Sequence, residues 1–356
     1  MPLKRLVGML VPAVKAALAA VGLGAMIAAA SAQSAQSDFR PVVEEIEALI
    51  QEHHFNAEEL EGEGYRRTMT ALRELGETAS SREAFLDGFR AIWADGPFSH
   101  VNLTASDADA ASMSAYFDSM NAGAEATDLS WNGRTAILSV HTMMGQDTIA
   151  AIETAFRDIA AQDAEAVIID LRQNEGGAFA MRPIVSGLID EPLDAGFFIS
   201  RRWTDHNAQL PGATELAELE PWSGWSVRAF WADIVERAVI RVRFQPGEAV
   251  FGGPVYVLTS GQTASAAEMA VEALQSAGRV EVVGEATAGE MLSQQPFDLP
   301  GGMLLFLPIA DYYSRHTGRI EGQPITPDVP ADADAALDRA LALIAEARHG
   351  DEAIVR

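Results

Sequence analysis

Val255-Tyr256-Val257-Leu258-Thr259-Ser260-Gly261-Gln262-Thr263-Ala264-Ser265-Ala266-Ala267-Glu268 is the stretch on which the reading of this chain turns. Its opening is a continuous apolar run, the pattern of a strand covered on both faces. A turn of small residues follows, and the spacing beyond it predicts a helix over 264–276. A serine at such a junction lies among backbone N–H groups that have no helical partner. The Ser265 hydroxyl is therefore placed to attack a carbonyl while the Ala266 N–H stabilises the resulting oxyanion. The same residues also spell a capping box, Ser265-x-x-Glu268, which needs no catalysis. From spacing alone the cap is the better explanation, and Glu268 is expected to orient the helix start rather than to move a proton.

Working outward, Ile168-Ile169-Asp170-Leu171-Arg172-Gln173-Asn174-Glu175-Gly176-Gly177 is a second buried strand ending in a turn. Gly176 and Gly177 let the backbone approach a ligand closely and aim N–H groups at it, the second half that an oxyanion hole requires. Further strands are expected at 101–103, 135–140, 167–171, 196–200, 239–244, 255–258, 280–283 and 303–307. Helices are expected at 149–161, 178–189 and 335–347. Buried strands alternating with helices argue for an α/β core. Before it, residues 38–94 carry apolar positions at helical spacing (Val43, Ile46, Leu49, Ile50), with Ser80 or Ser81 capping a helix over 83–93. Asp95-Gly96-Pro97 closes this region. Residues 203–235 break the rhythm with four tryptophans. A packed excursion and a substrate flap are equally good readings of them.

The chain has 356 residues, enough for one large domain or two smaller ones. Its mean hydropathy is near zero, at +0.05. There are no cysteines, so disulfides, thiolate nucleophiles and cysteine-held metals are excluded. With 51 Asp+Glu against 25 Lys+Arg, the charge repels nucleic acid and anionic membranes. Lys4, Arg5 and Lys15 precede an apolar stretch, 16–30, that ends in Ala30-Ser31-Ala32. That is the pattern of a cleaved signal peptide over 1–32. It predicts a periplasmic or secreted protein with no stable membrane insertion after cleavage. The expected division is then a helical region over 33–125 and a core over 126–356. No P-loop or dinucleotide fingerprint occurs, and Asp107/Asp109 and Asp332/Asp334 read as helix caps. No metal or cofactor is expected.

The two turn segments together resemble the C-terminal-processing, or tail-specific, serine peptidases, which are related to the tricorn core protease and the interphotoreceptor retinoid-binding protein. Asp170 to Gly177 fits that family's Asp-Leu-Arg-x-Asn-x-Gly-Gly pattern, and Thr263 to Glu268 fits its nucleophile segment. Gly278-Arg279, Val283 to Gly289, Leu299 to Gly302, Gly318 to Gly322 and Thr326 to Val329 follow in the family's order. The resemblance covers roughly residues 130 to 335. It implies a ClpP/crotonase-like α/β core with Ser265 as nucleophile. It departs from the best-known branch, whose base is a lysine directly after the position of Gly289. Here that residue is Glu290, and the only lysines are Lys4 and Lys15. The tricorn-like branch implies another base, a histidine that follows a serine upstream of the core. Phe98-Ser99-His100-Val101 fits it, with Glu321 at the position of the glutamate that holds the imidazole. His316 is the reserve base. His141 is expected on a core strand, and His53, His54, His206 and His349 on the surface. Many members carry a PDZ module before the core. The thirty or so residues between His100 and Trp131 fall short of the ~50 that a domain needs.

The expected activity is hydrolysis of a peptide or small acyl substrate without metal, through Ser265, His100 and Glu321, with Gly176, Gly177 and Ala266 around the oxyanion. The alternative is a retired hydrolase fold that binds an apolar or peptide ligand. A crotonase-type reaction on acyl-CoA is a third reading, disfavoured by export. The sequence leaves the oligomeric state open.

Overall fold

The computed structural model describes residues 38–354. Three helices come first: α1 (Arg40–His53), α2 (Glu63–Thr78) and α3 (Arg82–Trp93). Then come β1 (Asn102–Ala105), α4 (Ala110–Ser119), β2 (Thr127–Asn132), β3 (Thr135–Val140), α5 (Gln146–Ala161), β4 (Ala166–Asp170), α6 (Met181–Ser186) and β5 (Leu193–Ser200). Short helices α7 (Arg201–Thr204), α8 (Ala213–Glu218) and α9 (Val227–Arg237) lead to β6 (Val239–Phe244). The chain closes with β7 (Val255–Thr259), α10 (Ala266–Ser276), β8 (Glu281–Gly284), β9 (Leu292–Leu299), β10 (Met303–Ser314), β11 (Gly318–Arg319), β12 (Val329–Pro330) and α11 (Ala336–Ile354).

Two sheets organise these elements. The first runs β12-β8-β7-β4-β3-β2, parallel throughout except for the β2–β3 hairpin. Its middle strands are apolar on both sides because both sides are covered. Ile168, Tyr256, Leu258 and Val283 meet Ala336, Ala340 and Ile344 of α11. Val167, Ile169 and Val257 belong to the main core with residues of α5, α6 and α10. Helix α10 is buried from Ala266 to Leu274, and its core extends to Ala310 and Tyr312 of the second sheet. That sheet is built around β10, which pairs antiparallel with β1, β5, β9 and β11.

The helices α1–α3 are held by their apolar stripes. Ile46, Ile50, Leu72, Phe85 and Phe89 pack with Leu103 of β1 and Leu305 and Leu307 of β10. Ser81 caps α3, its Oγ accepting the Ala84 N–H at 3.1 Å. The helix expected at 178–189 is confined to Met181–Ser186. Its predicted first turn is drawn out instead, because the N–H groups of Ala178 and Ala180 both donate to the Met143 carbonyl. Strand β10 outruns its expected end at Leu307. Pro308 falls at a register shift against β9, in the gap between the β1 and β5 pairings, where a missing donor is tolerated. The tryptophan-rich segment forms α8 and α9. Trp231 is buried in the main core and the Trp222 indole donates to Asp233 at 2.8 Å, while Trp225 stays 45% exposed. Asp109 caps α4, accepting the Ser112 N–H at 2.7 Å. The predicted signal peptide lies outside the described residues. Among those described, no helix is long and apolar enough to cross a membrane.

Candidate active site

Ser265 precedes α10 at the end of the turn from β7, with φ 54° and ψ −121°. His100 also has a positive φ, 58°. Such conformations are costly for residues with a Cβ and persist only where the surroundings impose them. At Ser265 the surroundings are visible. Its N–H lies 2.9 Å from the Glu290 carbonyl and 3.0 Å from the Glu268 carboxylate, the return arm of a capping box. Glu268 is buried and also accepts from Thr287 Oγ1 at 2.5 Å, Gly289 N at 2.8 Å and Glu290 N at 3.0 Å. Burial pushes its carboxyl up to about 7 against these donors. Its oxygens are engaged with this framework, so it ties the β8–β9 connection to the serine turn.

The hydroxyl of Ser265 meets a histidine. His100 Nε2 lies 3.3 Å from Ser265 Oγ, although the two residues are 165 positions apart. Behind the ring, His100 Nδ1 lies 2.6 Å from Ser99 Oγ, which donates to Glu321 Oε2 at 3.1 Å. Glu321 is fixed further by the N–H groups of Ser99 (3.2 Å) and Met291 (2.7 Å). The direct contact between Glu321 and the imidazole that the family pattern implies is absent. Ser99 stands between them. In the sequence Ser99 marks only the position of His100. Its adjacency to the histidine was the available signal, and in the fold the hydroxyl meets the ring at a residue with positive φ.

Burial lowers the His100 imidazole to about 4, so the ring is neutral near pH 7. A neutral ring with Nε2 free to accept must carry its proton on Nδ1, donated to Ser99 Oγ. Burial raises the Glu321 carboxyl, and the hydrogen bonds from Met291 and Ser99 oppose it. Glu290 stands where a lysine would be needed for a Ser–Lys dyad. Its carboxyl is raised by burial first and then by repulsion from Glu321 and Glu175.

The Gly-Gly turn abuts the serine. A Cβ on Gly176 would fall 2.7 Å from Ser265 Cβ and 2.8 Å from the Ala264 carbonyl, and its φ is +94°. The Gly176 N–H is already bound to Asn174 Oδ1 at 2.9 Å, so Gly176 supplies close approach rather than a free donor. Among the described residues, the N–H groups of Gly177 and Ala266 have no hydrogen-bond partner outside helix and strand ladders.

The other histidines fall elsewhere. His316 is exposed in the turn between β10 and β11, its N–H held by Ser314 Oγ at 3.0 Å. His141 lies just past the end of β3 and is exposed, because the strand stops at Val140. His54, expected at the surface, is 0% exposed, stacked on Phe98 with ring centroids 4.0 Å apart. It occupies an aromatic pocket that a count of polar residues does not reveal. Among the described residues there is no group of His, Asp or Glu arranged to hold a metal.

A serine hydroxyl within reach of a buried, oriented imidazole is an arrangement that recurs in serine-type peptidases on several folds, and the family comparison places the chain in that class. The chain belongs to Peptidase family S41, whose profile matches residues 134–331. It is 27% identical over 188 residues to carboxyl-terminal-processing peptidase 3, chloroplastic, of Arabidopsis thaliana, covering 53% of this chain and 30% of that one. It is 29% identical over 167 residues to a carboxyl-terminal-processing protease of Picosynechococcus sp., covering 47% and 32%. The match thus spans about a third of the length of these relatives. A candidate peptidase from Parabacteroides merdae has the same fold at a TM-score of 0.58 and 16% identity, covering 86% of this chain and 96% of that one. A lipoprotein from Streptococcus agalactiae does so at 0.54 and 17%, covering 87% and 97%.

Proposed function

We propose that this chain is an exported serine peptidase that cleaves polypeptides through Ser265. The observation that carries the reading is the approach of His100 Nε2 to Ser265 Oγ at 3.3 Å, with Ser99 and Glu321 aligned behind the ring. Ser265 Oγ attacks the scissile carbonyl and its proton passes to His100 Nε2. The oxyanion is met by the N–H groups of Ala266 and Gly177. Collapse expels the amine, which takes the proton from Nε2 and leaves an acyl-enzyme. Water, deprotonated by the same nitrogen, then releases the acid. Ser99 and Glu321 hold the Nδ1–H tautomer and offset the positive charge that the ring acquires. The similarity to carboxyl-terminal-processing enzymes supports a peptide substrate, and the apolar leader supports export.

The test is covalent labelling with an activated organophosphonate. The expected adduct is one per chain, on Ser265, lost in Ser265→Ala and nearly lost in His100→Ala. A folded chain that binds peptides yet forms no adduct would instead be a binding protein on a retired hydrolase fold. Export is tested by the N-terminus of protein recovered from the producing cell, expected at Gln33.

A further inference from the structure

The steps above leave unused a chain of polar and charged side chains, buried at both ends and half-buried between, that runs between the helical region and the two loops that carry the site. His54 Nε2 lies 3.1 Å from Glu59 Oε2. Glu59 Oε1 accepts from Arg319 Nη2 at 3.0 Å, and Arg319 Nε donates to Asp311 Oδ2 at 2.6 Å. The guanidinium also lies over the Phe55 ring, 5.7 Å from its centroid. His54 and Asp311 are fully buried. His54 Nδ1 and Asp311 Oδ1 have no hydrogen-bond partner among the described residues. Burying such groups is expensive, and well-packed apolar residues of similar size often serve stability as well or better.

The two ends of this chain adjoin the site. Arg319 is two residues before Glu321 and is paired in β11 with Tyr313 of β10. His54 is stacked on Phe98, the residue before Ser99. We infer that Arg319, Glu59 and His54 are positioning residues, which clamp the Glu321 loop and the Ser99-His100 loop in register for the proposed attack by Ser265. The helical region thereby supplies part of the catalytic apparatus rather than a separate platform. This inference rests on the reading of Ser265 as nucleophile.

The charges facing the clamp define a test that packing alone would not pass. Arg319 is faced by Asp311, Glu59 and Tyr313; His54 by Glu59, Arg201 and Arg319; and Glu321 by Arg319, Asp311 and Glu290. Arg319 favours the ionised form of Glu321, and Glu59 partly cancels Arg319. In Arg319→Gln, Glu321 holds its proton to higher pH, so the acid limb of the rate moves up. In Glu59→Gln the guanidinium is less compensated, so the limb moves down.

The experiment measures the organophosphonate labelling rate of Ser265 against pH in the full chain. Arg319→Gln is expected to raise the acid limb by roughly half a pH unit and Glu59→Gln to lower it by a similar amount. Arg319→Lys keeps the charge but loses the fork. It is expected to leave the limb in place and slow labelling roughly three- to tenfold. Limbs that stay put, or that move in one direction in both neutralised variants, overturn the inference. Should Arg319→Gln fail to fold, Glu59→Gln decides alone, since a stationary or rising limb overturns it. Normal labelling with unmoved limbs sinks the clamp and leaves Ser265 standing. A wild-type chain that does not label takes down both.

Discussion

Replacing Ser99 by alanine removes one oxygen and isolates the relay between Glu321 and the base. The change leaves the anchors of Glu321 in place, because its carboxylate still accepts the Ser99 and Met291 N–H groups at 3.2 and 2.7 Å. The ring loses its 2.6 Å contact with Ser99 Oγ and, through it, the carboxylate. That contact strengthens when His100 takes the proton, since a hydrogen bond from a charged ring contributes about 1.5–3 kcal/mol. At about 1.4 kcal/mol per tenfold, the labelling rate of Ser265 should fall roughly 10- to 100-fold. Losing the base itself costs about 10²–10⁴-fold. The assay is stopped-time mass spectrometry of the organophosphonate adduct at pH 7.5 on Ser99→Ala, His100→Ala, Glu321→Gln and Ser99→Ala/Glu321→Gln. The double variant should be little slower than Ser99→Ala, because two members of one relay do not add. Labelling by Ser99→Ala at the wild-type rate would refute the relay. So would wild-type labelling by Glu321→Gln, for then Ser99 alone would orient the ring and the carboxylate would contribute nothing.

Three further outcomes follow from the same geometry. Gly176→Ala forces a Cβ to within 2.7 Å of Ser265 Cβ at a φ of +94°. It should destabilise the fold by about 1–3 kcal/mol and abolish labelling, read by denaturant melts and adduct yield. Thr287→Val leaves the buried Glu268 without its 2.5 Å donor and should cost about 1–3 kcal/mol; an unchanged melt would show that Glu268 does not depend on it. Burial raises Glu268 and Asp311 to about 7 from 4.5 and 3.8, so the folded chain binds more protons than the unfolded one between those values. Stability from these groups is complete below about pH 4 and is lost as pH rises through 7. His100 and His54, lowered by burial, pull the other way below about pH 6.5, so the net rise in melting temperature from pH 8 to pH 5.5 should be only a few degrees and should grow in His100→Ala; a His100→Ala chain that melts higher at pH 8 than at pH 5.5 would contradict the assignment.

Much of the parallel sheet was legible in the sequence. The runs at 167–171 and 255–258 are apolar without alternation, and the structure covers them on both faces as β4 and β7, while 135–140, interrupted by Ser139, forms the half-covered β3 beside them. Strand β2 was not legible, because Thr127–Asn132 is an edge strand whose burial merely alternates with exposure. Nor was the full length of β10, since Pro308 reads as a stop unless its neighbours are known. At the site, local sequence marked Ser265 and the glycines, but resemblance rather than pattern singled out His100 and Glu321. What neither supplied was the relay atom. A serine beside a histidine has no periodicity or spacing of its own, and in the fold the two side chains meet at a residue with positive φ. His54 was misread for a related reason: its environment is made by Phe55 and Phe98, which surround it only after α1 has packed.

The 222 positions that separate Ser99 from Glu321 also set a clock. At about 5–20 residues per second, a ribosome takes roughly ten to forty seconds to travel between them. During that interval the nascent chain already holds the proposed base, and later the proposed nucleophile, but not Glu321. If the proposed relay is the working one, its charge-bearing end is delivered last, and Ser265 cannot be fully activated until Glu321 has been added.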